Sequence, residues 1–121
     1  MKSYGPDGGW NEGPGYWGYA TRYTVFGLAA MQTALGTDFG LAEAPGFSET
    51  AFFPIHGAGP TDLYFNFADA GLRSGSKSAW FYLAERYNQP QAANHQHHFL
   101  KNENTINPFE IIWYQPHQAS I

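Results

Sequence analysis

The chain has 121 residues, with 10 Asp and Glu against 6 Lys and Arg, and its net charge of −4 argues against the basic surface that nucleic-acid binding needs. Its length suits one small domain around a single core. Charged residues are only 13% of the chain while aromatic residues reach 18%, too aromatic for disorder, and the absence of cysteine excludes disulfides and thiolate sites. The longest apolar run, inside 25–31, falls far short of the roughly 20 residues that cross a bilayer, so neither a membrane span nor a signal peptide is expected.

Residues 1–15 hold Gly5, Gly8, Gly9, Gly13 and Gly15 with Pro6 and Pro14, a density of turn formers that predicts an irregular loop pinned by Tyr4 and Trp10. A main helix is expected over 14–35, with Pro14 at its first position and Gly36 as a left-handed C-terminal cap. Tyr16, Tyr19, Ala20, Tyr23, Gly27, Ala30, Met31 and Ala34 share one face of it; Trp17, Val25, Leu28 and Leu35 form a second apolar stretch. Such a helix expects neighbours on more than one side. Between Gly36 and Gly75, glycine and proline leave room for a short helix over 48–53 capped by Ser48. Ser76 is expected to cap a helix running through Asn88, its stripe made by Trp80, Phe81, Leu83, Ala84 and Tyr87. A third long helix follows over 90–101, and Asn107, Pro108 and Glu110 open a last one through Tyr114. No convincing alternating strand occurs, so the expected class is all-α, mostly helix with long ordered loops.

Chemistry concentrates in the segment Tyr4-Gly5-Pro6-Asp7-Gly8-Gly9-Trp10-Asn11-Glu12-Gly13-Pro14-Gly15-Tyr16-Trp17-Gly18-Tyr19, where a glycine-rich loop delivers carboxylates and phenols to a helix N-terminus. Aromatic faces that stack on sugar C–H surfaces, and planar polar groups that bond hydroxyls, suit a ring-shaped polar ligand. The competing reading is a loop whose aromatics fill a core, since buried Tyr and Trp commonly need only one polar partner. The loop lacks a Gly-Lys-Ser/Thr ending and a strand–Gly-x-Gly-x-x-Gly–helix setting, which sets phosphate binding aside.

This segment, followed by Gly36…Asp38…Gly40-Leu41, Pro45-Gly46-Phe47 and Asn66-Phe67-Ala68-Asp69, resembles the heparinase II/III-like polysaccharide lyases, related to the alginate and oligoalginate lyases. The resemblance covers residues 4 to about 91. It implies a fragment of an incomplete (α/α) toroid, with the parent's preceding helices and its C-terminal β-sandwich domains absent from residues 1–121. It also implies β-elimination on a uronate-containing glycan, in which a base takes the C5 proton and an acid protonates the departing glycosidic oxygen. The family's catalytic tyrosine falls on Tyr16, with Tyr19 one turn on as the alternative; the first helical turn favours negative charge at Tyr16. Glu12 then orients substrate or holds the loop, and Trp10, Trp17, Tyr19 and Asn66 complete the expected substrate contacts. An acidic polysaccharide or oligosaccharide is the expected partner, no cofactor or metal is expected in residues 1–121 because the family's structural metal site and a further histidine belong to the later β domains, and a periplasmic or secreted parent is expected. The Asn-His pair that these enzymes look to use belongs upstream of the segment, so the chain alone is expected to be inactive.

His95 and His98 lie three apart on the third helix, a spacing that can hold a metal, but no nearby carboxylate completes a set, so a packed or solvated cluster is expected. His56 and His117 read as ordinary polar residues, and Asn66 and Asp69 suit loop bracing or capping more than substrate contact. Two other functions stay open: a non-catalytic carbohydrate-binding α-helical module, and a structural fragment that self-associates through apolar helix faces left without neighbours.

Overall fold

A computed structural model describes residues 1–65, 71, 75, 77–101 and 108–116. The fold is mostly helical, with no strand among the described residues, which makes it all-α. The backbone divides into two compact units, Met1–Ser74 and Gly75–Ile121.

The first unit is built on helix α1, Pro14–Leu35. Pro14 starts it where a missing N–H costs nothing, and Gly36 ends it at φ 73°, its N–H donating to the Gln32 carbonyl. The buried stripe is Trp17, Thr21, Val25 and Leu28, the spacing of one helix face. The tyrosine-bearing face points outward, with Tyr16, Tyr19 and Tyr23 at 44%, 61% and 53% exposure. Both faces carry apolar residues, but the phenols keep their hydroxyls in water while Trp17, Val25 and Leu28 gain most from burial.

The N-terminal loop packs against the same helix, with Tyr4 as its anchor. The Tyr4 ring meets Trp10 and Phe47 at 5.1 and 5.0 Å, and its hydroxyl lies 3.1 and 3.2 Å from those of Thr21 and Thr24. A short 3-10 turn at Leu41–Glu43 and successive turns lead into helix α2, Phe52–His56. The short helix therefore begins later than the Ser48 cap implied: Ala51 stands at its N-cap with no side-chain bond. Pro54 falls in the first turn, where its ring is tolerated, so it sits inside the helix and does not end it. Beyond it an isolated antiparallel bridge joins Ala58 to Tyr64. Tyr64 is buried, and burial pushes its phenol up to about 12.

The second unit contains α3 (Ala79–Tyr87), α4 (Pro90–Leu100) and α5 (Pro108–Ile112). Asn88, left-handed at φ 52°, closes α3, and Pro90 opens α4 two residues later, so the two form a helical hairpin. Its core holds Trp80, Phe81, Leu83, Ala84, Ala92, Ala93 and Phe99. Gln96 is fully buried with its amide satisfied at both ends: Nε2 donates to Glu110 Oε1 at 3.0 Å, and Oε1 accepts the Lys77 N–H at 2.6 Å. Glu110 thus bonds Gln96 across the unit. The expected caps Ser76 and Asn107 lie outside the described residues, and α3 begins after Ser78, which makes no side-chain cap bond.

Candidate functional site

The N-terminal loop is fixed by a buried relay. The Trp17 indole N–H donates to Thr50 Oγ1 at 2.7 Å, and the Thr50 hydroxyl donates to the Gly8 carbonyl at 2.8 Å. Gly8 sits at φ 84°, and a Cβ there would come within 2.6 Å of the Thr50 backbone nitrogen, so only glycine fits this approach. On the surface side of Gly8, Asp7 Oδ1 accepts the Gly9 N–H at 3.2 Å and orients the carboxylate. Trp10 donates its indole N–H to Glu12 Oε2 at 3.3 Å.

Around this frame lies an open groove with two lobes that share Asp7, Gly9 and Phe53. The first, about 530 Å³, is also lined by Lys2, Ser3, Gly5, Trp10 and Asn11. The second, about 470 Å³, adds Glu49, Phe52 and His56, whose ring stacks on Phe52 at 6.1 Å and 20°. Both volumes suit a small ligand or one or two sugar rings. Aromatic rings, an amide, carboxylates and one ammonium can together offer stacking and hydroxyl recognition.

The residues singled out in the sequence separate into four groups. Trp10 lines the groove and Glu12 is hydrogen-bonded to it. Tyr16 and Tyr19 stand on the outer face of α1 and do not line the groove, and Tyr19 packs edge-on against Tyr23 at 5.0 Å. Trp17 has 0% exposure, so it supports the loop from beneath and offers no face to a sugar. Asn66, Asp69 and His117 lie outside the described residues. The sequence reading missed Lys2, Glu49, Phe52 and Phe53 as groove residues. For Glu49, Phe52 and Phe53 the one signal is the Gly8–Thr50 approach, a contact across 42 positions that no local pattern encodes, whereas Lys2 lies in the N-terminal segment itself.

The histidine cluster lies on α4 of the second unit, with His95 and His97 half-buried and His98 exposed. His95 meets the Trp80 ring edge-on at 4.6 Å and lies 6.4 Å from His98, while a His97 ring nitrogen is 2.6 Å from the Gln115 carbonyl. Among the described residues, no group of three or more His, Asp or Glu could hold a metal ion, and no helix is long and apolar enough to cross a membrane. No protein-family model matches the chain, and no curated protein matches it significantly.

Proposed function

We propose that the chain is a piece of the helical catalytic domain, a partial (α/α) toroid, of a periplasmic or secreted polysaccharide lyase that cleaves a uronate-containing glycan by β-elimination. The observation that carries this reading is the Tyr16 phenol, 44% exposed in the first turn of a 22-residue helix. It follows directly on a loop that the Trp17–Thr50–Gly8 relay holds rigid. A phenol held there is a candidate to take the C5 proton or to protonate the leaving oxygen, with Tyr19 one turn further along. Glu12 is held by Trp10, and Trp10, Asn11 and Lys2 in the first lobe supply a stacking face, an amide and an ammonium for a sugar of the same glycan outside the reacting position, since Tyr16 does not line the groove.

The test is Tyr16→Phe in the full-length polypeptide that carries this segment, followed by the ultraviolet absorbance of the unsaturated uronate product. Turnover is expected to fall by about 10²- to 10⁴-fold, the usual contribution of a positioned acid or base. Unchanged turnover removes Tyr16 from the mechanism. The aromatic groove also favours a second reading, a carbohydrate-binding module without catalysis. In that case uronate oligosaccharides bind, Trp10→Ala abolishes binding, and no unsaturated product forms.

A further inference from the structure

The two lobes of the groove differ in charge. Asp7 and Phe53 line both; the first adds Lys2, and the second adds Glu49, Phe52 and His56 and no Lys or Arg. The two carboxylates flank the residues of the buried relay: Asp7 precedes Gly8 and Glu49 precedes Thr50, whose hydroxyl bonds the Gly8 carbonyl at 2.8 Å. This one bond ties the two carboxylate-bearing backbones together before any ligand arrives. Asp7 is further oriented by the Gly9 N–H, and Phe52 and His56 are stacked. The second lobe is therefore an open concavity on a tied backbone, with aromatic side chains for a flat apolar body and two exposed, acceptor-only carboxylates for a positive charge.

We propose that the Asp7–Glu49–Phe52–Phe53–His56 lobe binds a small organic cation, an ammonium or guanidinium group carried on a flat apolar body. A uronate is the wrong ligand for this lobe, because its carboxylate meets two like charges and no cationic side chain. The lobe is therefore distinct in specificity from the Lys2 lobe, and the proposal does not depend on Tyr16 or on lyase activity.

The experiment compares three probes of one shape in amide NMR titrations of the 121-residue chain: benzylamine as the ammonium, benzyl alcohol as the neutral analogue and benzoate as the anion. Benzylamine is expected to shift the Asp7, Gly9, Glu49 and His56 amides saturably, more tightly than the alcohol, with benzoate weakest. Added salt weakens benzylamine binding and spares the alcohol. Glu49→Gln, at an exposed side chain, is expected to weaken benzylamine about two- to fivefold, the range of solvent-exposed ion pairs. Equal binding of amine and alcohol, or saturable shifts confined to other residues, overturns the proposal, as does the absence of saturable shifts in a chain with dispersed amide signals. Tyr16→Phe leaves benzylamine binding unchanged, which separates this result from the fate of the lyase reading.

Discussion

Thr50 is the residue on which the groove most depends. Its hydroxyl accepts from Trp17 and donates to Gly8, so a single oxygen satisfies two buried groups that are distant in sequence. Thr50→Val keeps the shape but removes the hydroxyl that bonds the buried indole N–H and the Gly8 carbonyl. Each such buried group costs about 1–3 kcal/mol, so a loss of about 2–6 kcal/mol is expected in urea unfolding. Thr50→Ser retains the hydroxyl and loses only a methyl, for about 1 kcal/mol. If the two variants prove equally stable, the relay is not what holds the loop. The same relay explains why Trp17 reads ambiguously in the sequence. Its aromatic ring is as suited to sugar stacking as that of Trp10, and only the Thr50 oxygen beneath the loop assigns it to the core.

At the scale of elements, the helix ends that were legible are those set by residues at or next to the end itself. Pro14 and Gly36 bound α1 as their backbone chemistry requires, and Asn88 and Pro90 separate α3 from α4 for the same reason. What local chemistry could not decide was which face of α1 is buried, because that depends on where Tyr4, Phe47 and Thr50 return to the helix. It also could not place α2, since Pro54 is compatible both with ending a helix and with its first turn. Two glycines of the first unit turn this distinction into a measurement. Gly27 lies inside α1 with open space around its Cβ position, so Gly27→Ala is expected to stabilise by about 0.5–1 kcal/mol. Gly36 also has open space, but its φ of 73° strains any L side chain, so Gly36→Ala is expected to destabilise by about 1–2 kcal/mol. Thermal melts should therefore move in opposite directions for the two variants. A shift of the same sign would mean that the C-terminal cap of α1 is not left-handed in solution.

For the whole molecule, the decisive property is an aromatic surface with little charge to keep copies apart. Tyr16, Tyr19 and Tyr23 stand along the outward side of α1, with Tyr19, Tyr23 and Phe26 in successive edge-on contacts at 5.0 and 5.9 Å. Leu35, at the end of the same helix, is 61% exposed. Arg22, whose guanidinium lies 5.2 Å from the Tyr23 ring centre, is the one Lys or Arg in α1. A contiguous stripe of this kind tends to find a partner, and charged residues at 13% of the chain oppose that only weakly. The mass measured by light scattering is therefore expected to rise with protein concentration. Replacing both Tyr19 and Tyr23 by Lys should return it towards the monomer, because both side chains are more than half exposed and their loss removes little from the core. The melting temperature of the double variant separates loss of association from loss of folding. A monomer at every concentration would mean that the hydrated phenols are enough to keep this face in water, and that the aromatic stripe is available to a ligand.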